Sequence, residues 1–243
     1  MSDAAPPPAP APERGELAEE VFGFNLRSVR SLRDLIIAPR KVFASIIARD
    51  GLYTPMVRLW LALLGVQIAA SVIWGGYGAI AARSLQNADP EGMAQFQTLL
   101  NRPLDEFFNL YGSIMSVLHG PFVGGFTALS VIVLSRFGEK RPFAVNLNLI
   151  FAVLTAGSVL GLLLMPVALA ASSAGALSLA VTIAIAMAYA LTFMRGATPS
   201  LATSRTGRII KGVILSVTML ALVLIGGFFV SMISMIAAML WPA

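Results

Sequence analysis

Five long runs without a single Asp, Glu, Lys or Arg dominate the chain: residues 59–82, 111–135, 144–171, 175–194 and 212–240. A bilayer core about 30 Å thick takes about 20 apolar residues per helical crossing. Backbone in lipid must also satisfy its own N–H and C=O groups. Each run is therefore predicted to be a transmembrane helix, and the fold class that follows is all-α, a polytopic membrane protein of five spans.

Ahead of the first run the pattern changes. In "FNLRSVRSLRDLIIAPRKVFASIIARDGLYTP", residues 24–55, Val29, Leu32, Ile36, Val42, Phe43, Ile46 and Ile47 recur at helical spacing. Between them stand Arg27, Arg30, Arg33, Arg40 and Lys41. Proline is tolerated in the first turn of a helix but not inside one, so Pro39 predicts two short helices meeting near Ala38, with Asp50-Gly51 as the stop. Residues 23–55 thus read as an N-terminal interfacial amphipathic pair, the five basic residues being candidate contacts to anionic lipid. The same periodicity would serve a cap packed under the bundle. Residues 1–22, rich in Pro and Ala, bury too little apolar surface to offset ordering entropy and are predicted to be a disordered tail. The spans occupy 56–243.

Composition agrees: 57% of the 243 residues are hydrophobic and 12% charged, about half the charge of an ordinary soluble domain. The net charge of +5 does not imply nucleic acid, because its distribution follows the spans. Fifteen of the seventeen Lys and Arg residues fall before the first run or in the second and fourth connections; only Arg83 and Arg102 fall elsewhere. The positive-inside rule then puts the N-terminus in the cytoplasm and the C-terminus outside. Arg far outnumbers Lys and Ala is abundant, which fits a high-GC bacterial source and an inner-membrane location with a periplasmic C-terminus. Trp60 is expected near the inner interface, and Trp74, Tyr77, Tyr111 and Trp241 near the outer one.

The connections differ. In 83–110, Asp89 followed by Pro90 and Glu91 predicts a capped short helix. The Ser/Thr-rich stretch "RGATPSLATSRTGRIIK", residues 195–211, reads as a solvated connector with ordinary positive-inside charge, the alternative being a protein or lipid contact through its four basic residues.

Candidate chemistry is sparse. There is no cysteine, no H-E-x-x-H, no G-x-S-x-G and no phosphate or dinucleotide fingerprint, so no catalytic, cofactor or metal residues are assigned. The one histidine, His119, sits in "LHGPFVGG", residues 118–125. Pro121 has no N–H and leaves the Val117 carbonyl without its helical donor. His119 then reads as polar padding beside a kinked span at Gly120-Pro121, with Ser71, Thr182 and Ser231 at matching depth. The alternative is a ligand site, since ionisable residues in a membrane are usually functional. Gly120 and Gly124, like Gly157 and Gly161, share a helix face where backbones approach closely, within the chain or across a homo-oligomer seam.

The stretch "LRDLIIAPRKVFASIIARDGLYTPMVRLWLALLG", residues 32–65, has a proline followed by basic residues and Val-Phe, then Tyr-Thr-Pro entering the first span. It resembles the Yip-type five-span membrane protein family. The resemblance implies five spans and an adaptor or membrane-organising role and gives no catalytic residue to carry over; with no nucleophile and base pair in the chain, the expectation is a non-enzymatic structural or interaction component. Eukaryotic members are associated with vesicle trafficking and small GTPases. Expected partners are anionic lipids and another membrane protein or a second copy. The competing reading is a subunit of a transporter or channel.

Overall fold

A computed structural model describes residues 26–100, 102–170 and 175–241, and among these every regular element is an α-helix. The amphipathic pair is α1 (Leu26–Ile37) and α2 (Pro39–Ala48). The first span begins as α3 (Met56–Val72) and continues as α4 (Gly76–Ala88), followed by the short α5 (Pro90–Leu99). Then come α6 (Leu104–Ala128), α7 (Val131–Leu134), α8 (Phe143–Ala170), α9 (Gly175–Gly196) and α10 (Arg205–Leu240). The Pro/Ala-rich tail lies outside the described residues, as does the junction 171–174.

Four spans, α6 with α7, α8, α9 and α10, are each long and apolar enough to cross a bilayer. The first expected span is not one helix. Its halves α3 and α4 are bent by 61°, and the cause is local. The amides of Ile73, Trp74 and Gly75 reach only the carbonyls three residues back, at 3.1, 3.0 and 2.9 Å, a tightened last turn. Gly75 and Gly76 then take φ of +86° and +78°, the left-handed region that glycine enters freely. The Arg83 guanidinium donates to the Trp74 carbonyl, satisfying one of the exposed C=O groups.

The bent pair still runs from one end of the bundle to the other. At its start the Met56 amide donates to Asn148 Oδ1, at 3.0 Å, beside the beginning of α8. At the far end Arg102, just ahead of α6, donates to the Trp241 carbonyl that closes α10. With the bent pair counted as one span, the candidate spans among the described residues number five; without it, four.

The end carrying most of the basic residues is closely knit. Arg141 donates to the carbonyls of Phe137, Ser200 and Leu134 at 2.8, 3.1 and 3.4 Å, and to Asn146 Oδ1 at 3.1 Å. The Glu139 amide bonds the Ser200 carbonyl at 2.9 Å, and Lys211 donates to the Leu201 carbonyl at 2.9 Å. The connection 195–211 is thus no solvated linker: Ala197, Leu201 and Ala202 are buried, and the loop's own Ser200 and Leu201 carbonyls, which cannot stay unpaired when buried, find donors on Arg141, Glu139 and Lys211.

α1 and α2 pack into this end instead of lying apart from it. Val42 and Phe43 are core residues, with Phe43 edge-on to Phe193 at 6.5 Å. Arg195 donates to the Ile36 and Ile37 carbonyls at 3.3 and 2.8 Å, covering the C-terminus of α1. The junction falls at Ala38 and Pro39 opens α2, as predicted. The left-handed cap is Arg49 (φ +56°), one residue before the expected Asp50-Gly51. At the opposite end Asp89 caps α5, its Oδ1 accepting from Gly92 N at 2.8 Å, with Pro90 in the first turn.

Candidate functional site

Two regions gather the residues singled out from the sequence. On the basic end, α1 turns its small residues Ser28 and Ser31 and Leu35 inward. Ser31 Oγ accepts from the Thr54 amide at 2.9 Å and donates to the Arg27 carbonyl at 2.7 Å. That choice leaves apolar Leu26, Val29, Ile36 and Ile37 on the exposed side, the flank that an interfacial helix would sink into lipid.

The five expected lipid contacts divide. Arg27 donates to the Tyr53 carbonyl at 3.1 Å. Arg30 and Arg33 lie 3.8 and 3.9 Å from the Asp34 carboxylate, which also accepts from the Tyr53 hydroxyl at 2.9 Å. Burial, and next this bond, push the Tyr53 phenol above its usual range. Arg40 and Lys41 are exposed; their side chains make no hydrogen bond or ion pair among the described residues. The same holds for Arg49, Arg136, Lys140 and Arg205. Beside this collar, α2, the turn before α3 and the start of α8 enclose a cleft of about 560 Å³ with Arg49 on its wall.

The second region lies in the middle of the bundle. α3, α6, α8, α9 and α10 surround a chamber of about 260 Å³, whose polar lining includes Gln67, His119, Ser158, Thr182 and Tyr189. α6 passes through Gly120 and Pro121 as a continuous helix, and the bundle's broken span is α3–α4. The His119 ring stacks on Tyr77, the second residue of α4, with centroids 5.7 Å apart and planes at 26°. Its Nδ1 is buried without a partner. The expected padding does not form: Ser71 donates to the Ile68 carbonyl at 2.7 Å, Ser231 pairs with the Tyr111 hydroxyl at 3.0 Å, and Thr182 donates to the Ser178 carbonyl at 2.9 Å.

The four paired glycines all border this chamber or the residues that line it, but they receive side chains, not backbone. A Cβ on Gly120 would stand 2.6 Å from Leu64 Cδ2, and on Gly124 2.8 Å from the Trp60 ring. On Gly157 it would stand 2.1 Å from Tyr189 Cε1, and Gly161 looks toward Gln67 Nε2 at 3.9 Å. Both small-residue faces are thus occupied within one chain. Trp60, expected near the inner interface, turns into the bundle, a core residue edge-on to Phe151 at 5.2 Å.

Sequence reasoning missed Gln67 and Tyr189. Gln67 is the one carboxamide in the first run and Tyr189 the one tyrosine in the fourth; a polar side chain at membrane depth faces the bundle interior, a signal that marks both. Gln67 Nε2 donates to the Ser158 carbonyl at 3.0 Å. The Tyr189 side chain is 3% exposed, and its hydroxyl has no hydrogen-bond partner among the described residues.

No family model matches the chain, and neither a curated protein nor a solved structure is significantly similar to it.

Proposed function

We propose that this is a non-enzymatic component of a bacterial inner membrane that engages anionic lipid with its cytoplasmic, basic end and serves there as a structural, adaptor or membrane-organising protein. One observation carries this reading: exposed cations without partners ring the same end on which α1 leaves an apolar flank unused by the bundle. Each Lys or Arg near an anionic surface contributes about 1 kcal/mol, and the apolar flank gains by leaving water. The resemblance to Yip-type proteins points the same way. A transporter or channel subunit is the second reading, favoured by a polar chamber next to a discontinuous span, the arrangement through which many transporters bind substrate.

Full-length protein in phosphatidylcholine nanodiscs with and without phosphatidylglycerol tests the lipid reading. The melting temperature is expected to rise with the anionic lipid, and the gain to shrink as salt shortens the Debye length. Arg40→Gln with Lys41→Gln should remove part of the gain and leave stability in pure phosphatidylcholine unchanged. A gain that ignores both salt and these substitutions would refute it.

Orientation has its own check. A C-terminal alkaline phosphatase fusion should be active and a C-terminal fluorescent protein dark, following the positive-inside bias. The reverse pattern would mean that the bent α3–α4 pair re-enters without crossing.

A further inference from the structure

Going beyond lipid engagement, we propose that the chamber between α3, α6, α8, α9 and α10 is a binding site for a small neutral molecule that carries a hydroxyl or N–H group on an apolar body.

Three observations carry it. First, the chamber holds hydrogen-bonding capacity that the protein does not use. His119 Nδ1 is buried and unpartnered, and the Tyr189 hydroxyl, on a residue 3% exposed, is also without a partner among the described residues. An unsatisfied polar group away from water costs about 1–3 kcal/mol, and two unpartnered groups carried by residues that line one cavity mark a place where a third molecule supplies partners. Second, the lining contains no charged side chain: beside the polar Gln67, Ser158 and Thr182, the apolar Trp60, Leu64, Val123, Leu154, Leu220 and Val223 complete most of it. A charged ligand would lose its hydration with no counter-ion to replace it, whereas a neutral one buries its body against these side chains. Third, the donors and acceptors require a mixed partner. A neutral imidazole nitrogen either donates or accepts and a phenol does both, which a hydroxyl or N–H group answers and a pure hydrocarbon does not.

The volume, about 260 Å³, lies just below the range of about 300–1,000 Å³ usual for drug-sized ligands and limits the occupant to about one ring. The walls are held open by glycine: Gly157 makes room for the Tyr189 ring, and Gly161 leaves space between Ile185 and Gln67.

The test uses 4-bromophenol, whose bromine quenches an indole on contact, with bromobenzene as the analogue lacking the hydroxyl. The chain has three tryptophans; Trp74→Phe with Trp241→Phe leaves Trp60, on the chamber wall, as the sole reporter. Quenching by 4-bromophenol is expected to saturate and to be reversed by phenol, while bromobenzene quenches linearly, as a solute dissolved in lipid does. Tyr189→Phe keeps the ring that fills the notch at Gly157 and removes only the hydroxyl; it should weaken the saturable phase about tenfold, the effect of about one hydrogen bond. His119→Phe preserves stacking on Tyr77 and should do the same, so the test survives if either variant fails to fold. Overlapping linear curves for the two bromides, or saturation unchanged in folded Tyr189→Phe and His119→Phe proteins, would overturn the proposal and leave the chamber as hydrated packing.

Discussion

Gly112→Leu is expected to prevent assembly of the folded bundle, lowering the melting temperature in mild detergent so far that no cooperative transition remains. α4 and α6 meet backbone to backbone at Gly78 and Gly112. A Cβ on Gly112 would stand 2.5 Å from the Gly78 nitrogen and 2.9 Å from its Cα, and one on Gly78 would stand 2.0 Å from the Phe108 carbonyl oxygen. Where a side-chain tip is the obstacle, a rotamer change relieves it; a helix backbone has no such freedom. Overpacking typically costs about 1–3 kcal/mol, and here the whole helix must move, so the cost belongs at or above that limit. Displacing α4 would also pull Tyr77 from His119. Gly65→Ala and Gly125→Ala are the controls, since nothing lies within 4 Å of a Cβ at either; Ala is the better helix former by about 1 kcal/mol, and both should melt at or above the parent temperature. A Gly112→Leu protein that melts like these controls would show that α4 does not pack on α6 as described.

Loss of Arg141 should open the basic end. Its guanidinium fork serves three carbonyls and one carboxamide at once, and burial holds its pKa below the usual arginine value, only partly offset by Glu139. Arg141→Met keeps much of the stem and removes every donor. Each carbonyl left without a partner costs about 1–3 kcal/mol if it stays buried; the segments 135–142 and 197–204 should instead separate to reach water. Amide hydrogen exchange in those two segments is expected to speed up at least about tenfold, which corresponds to about 1.4 kcal/mol of lost protection, while α6 and α10 near mid-bundle keep theirs. Arg141→Lys should fall between, because an ammonium is a point donor that cannot span the fork. Unchanged exchange in Arg141→Met would mean that the Glu139 and Lys211 contacts suffice alone.

Much of the helical skeleton was legible in the sequence because it is decided locally. Uncharged runs longer than a bilayer is thick have no alternative to the helix, so α8, α9 and α10 follow from composition. Pro39 and the Asp89-Pro90 pair mark helix starts through their own backbone chemistry. The basic residues sort to one end of the bundle in the structure as they do along the chain. Less of the candidate site could be read. His119 stood out as an ionisable group in an apolar run, but its neighbours did not.

What the tertiary structure alone decided concerns which faces meet. In a lipid-facing helix nearly every position is apolar, so periodicity no longer separates inside from outside, and pairing depends on the fit of residues far apart in sequence. Hence Gly78 and Gly112, in different helices and in no repeated motif, meet backbone to backbone, while the paired glycines at 120/124 and 157/161 admit side chains. The same holds for Gln67 and Tyr189, brought to His119 from α3 and α9, and for Arg141 and Arg195, whose partners include carbonyls of a distant loop and at the end of another helix. The bend at 73–75 lies between these cases. Its glycines are visible in the sequence, but glycine only permits a left-handed turn, and the turn sets α4 against α6 where Gly78 meets Gly112.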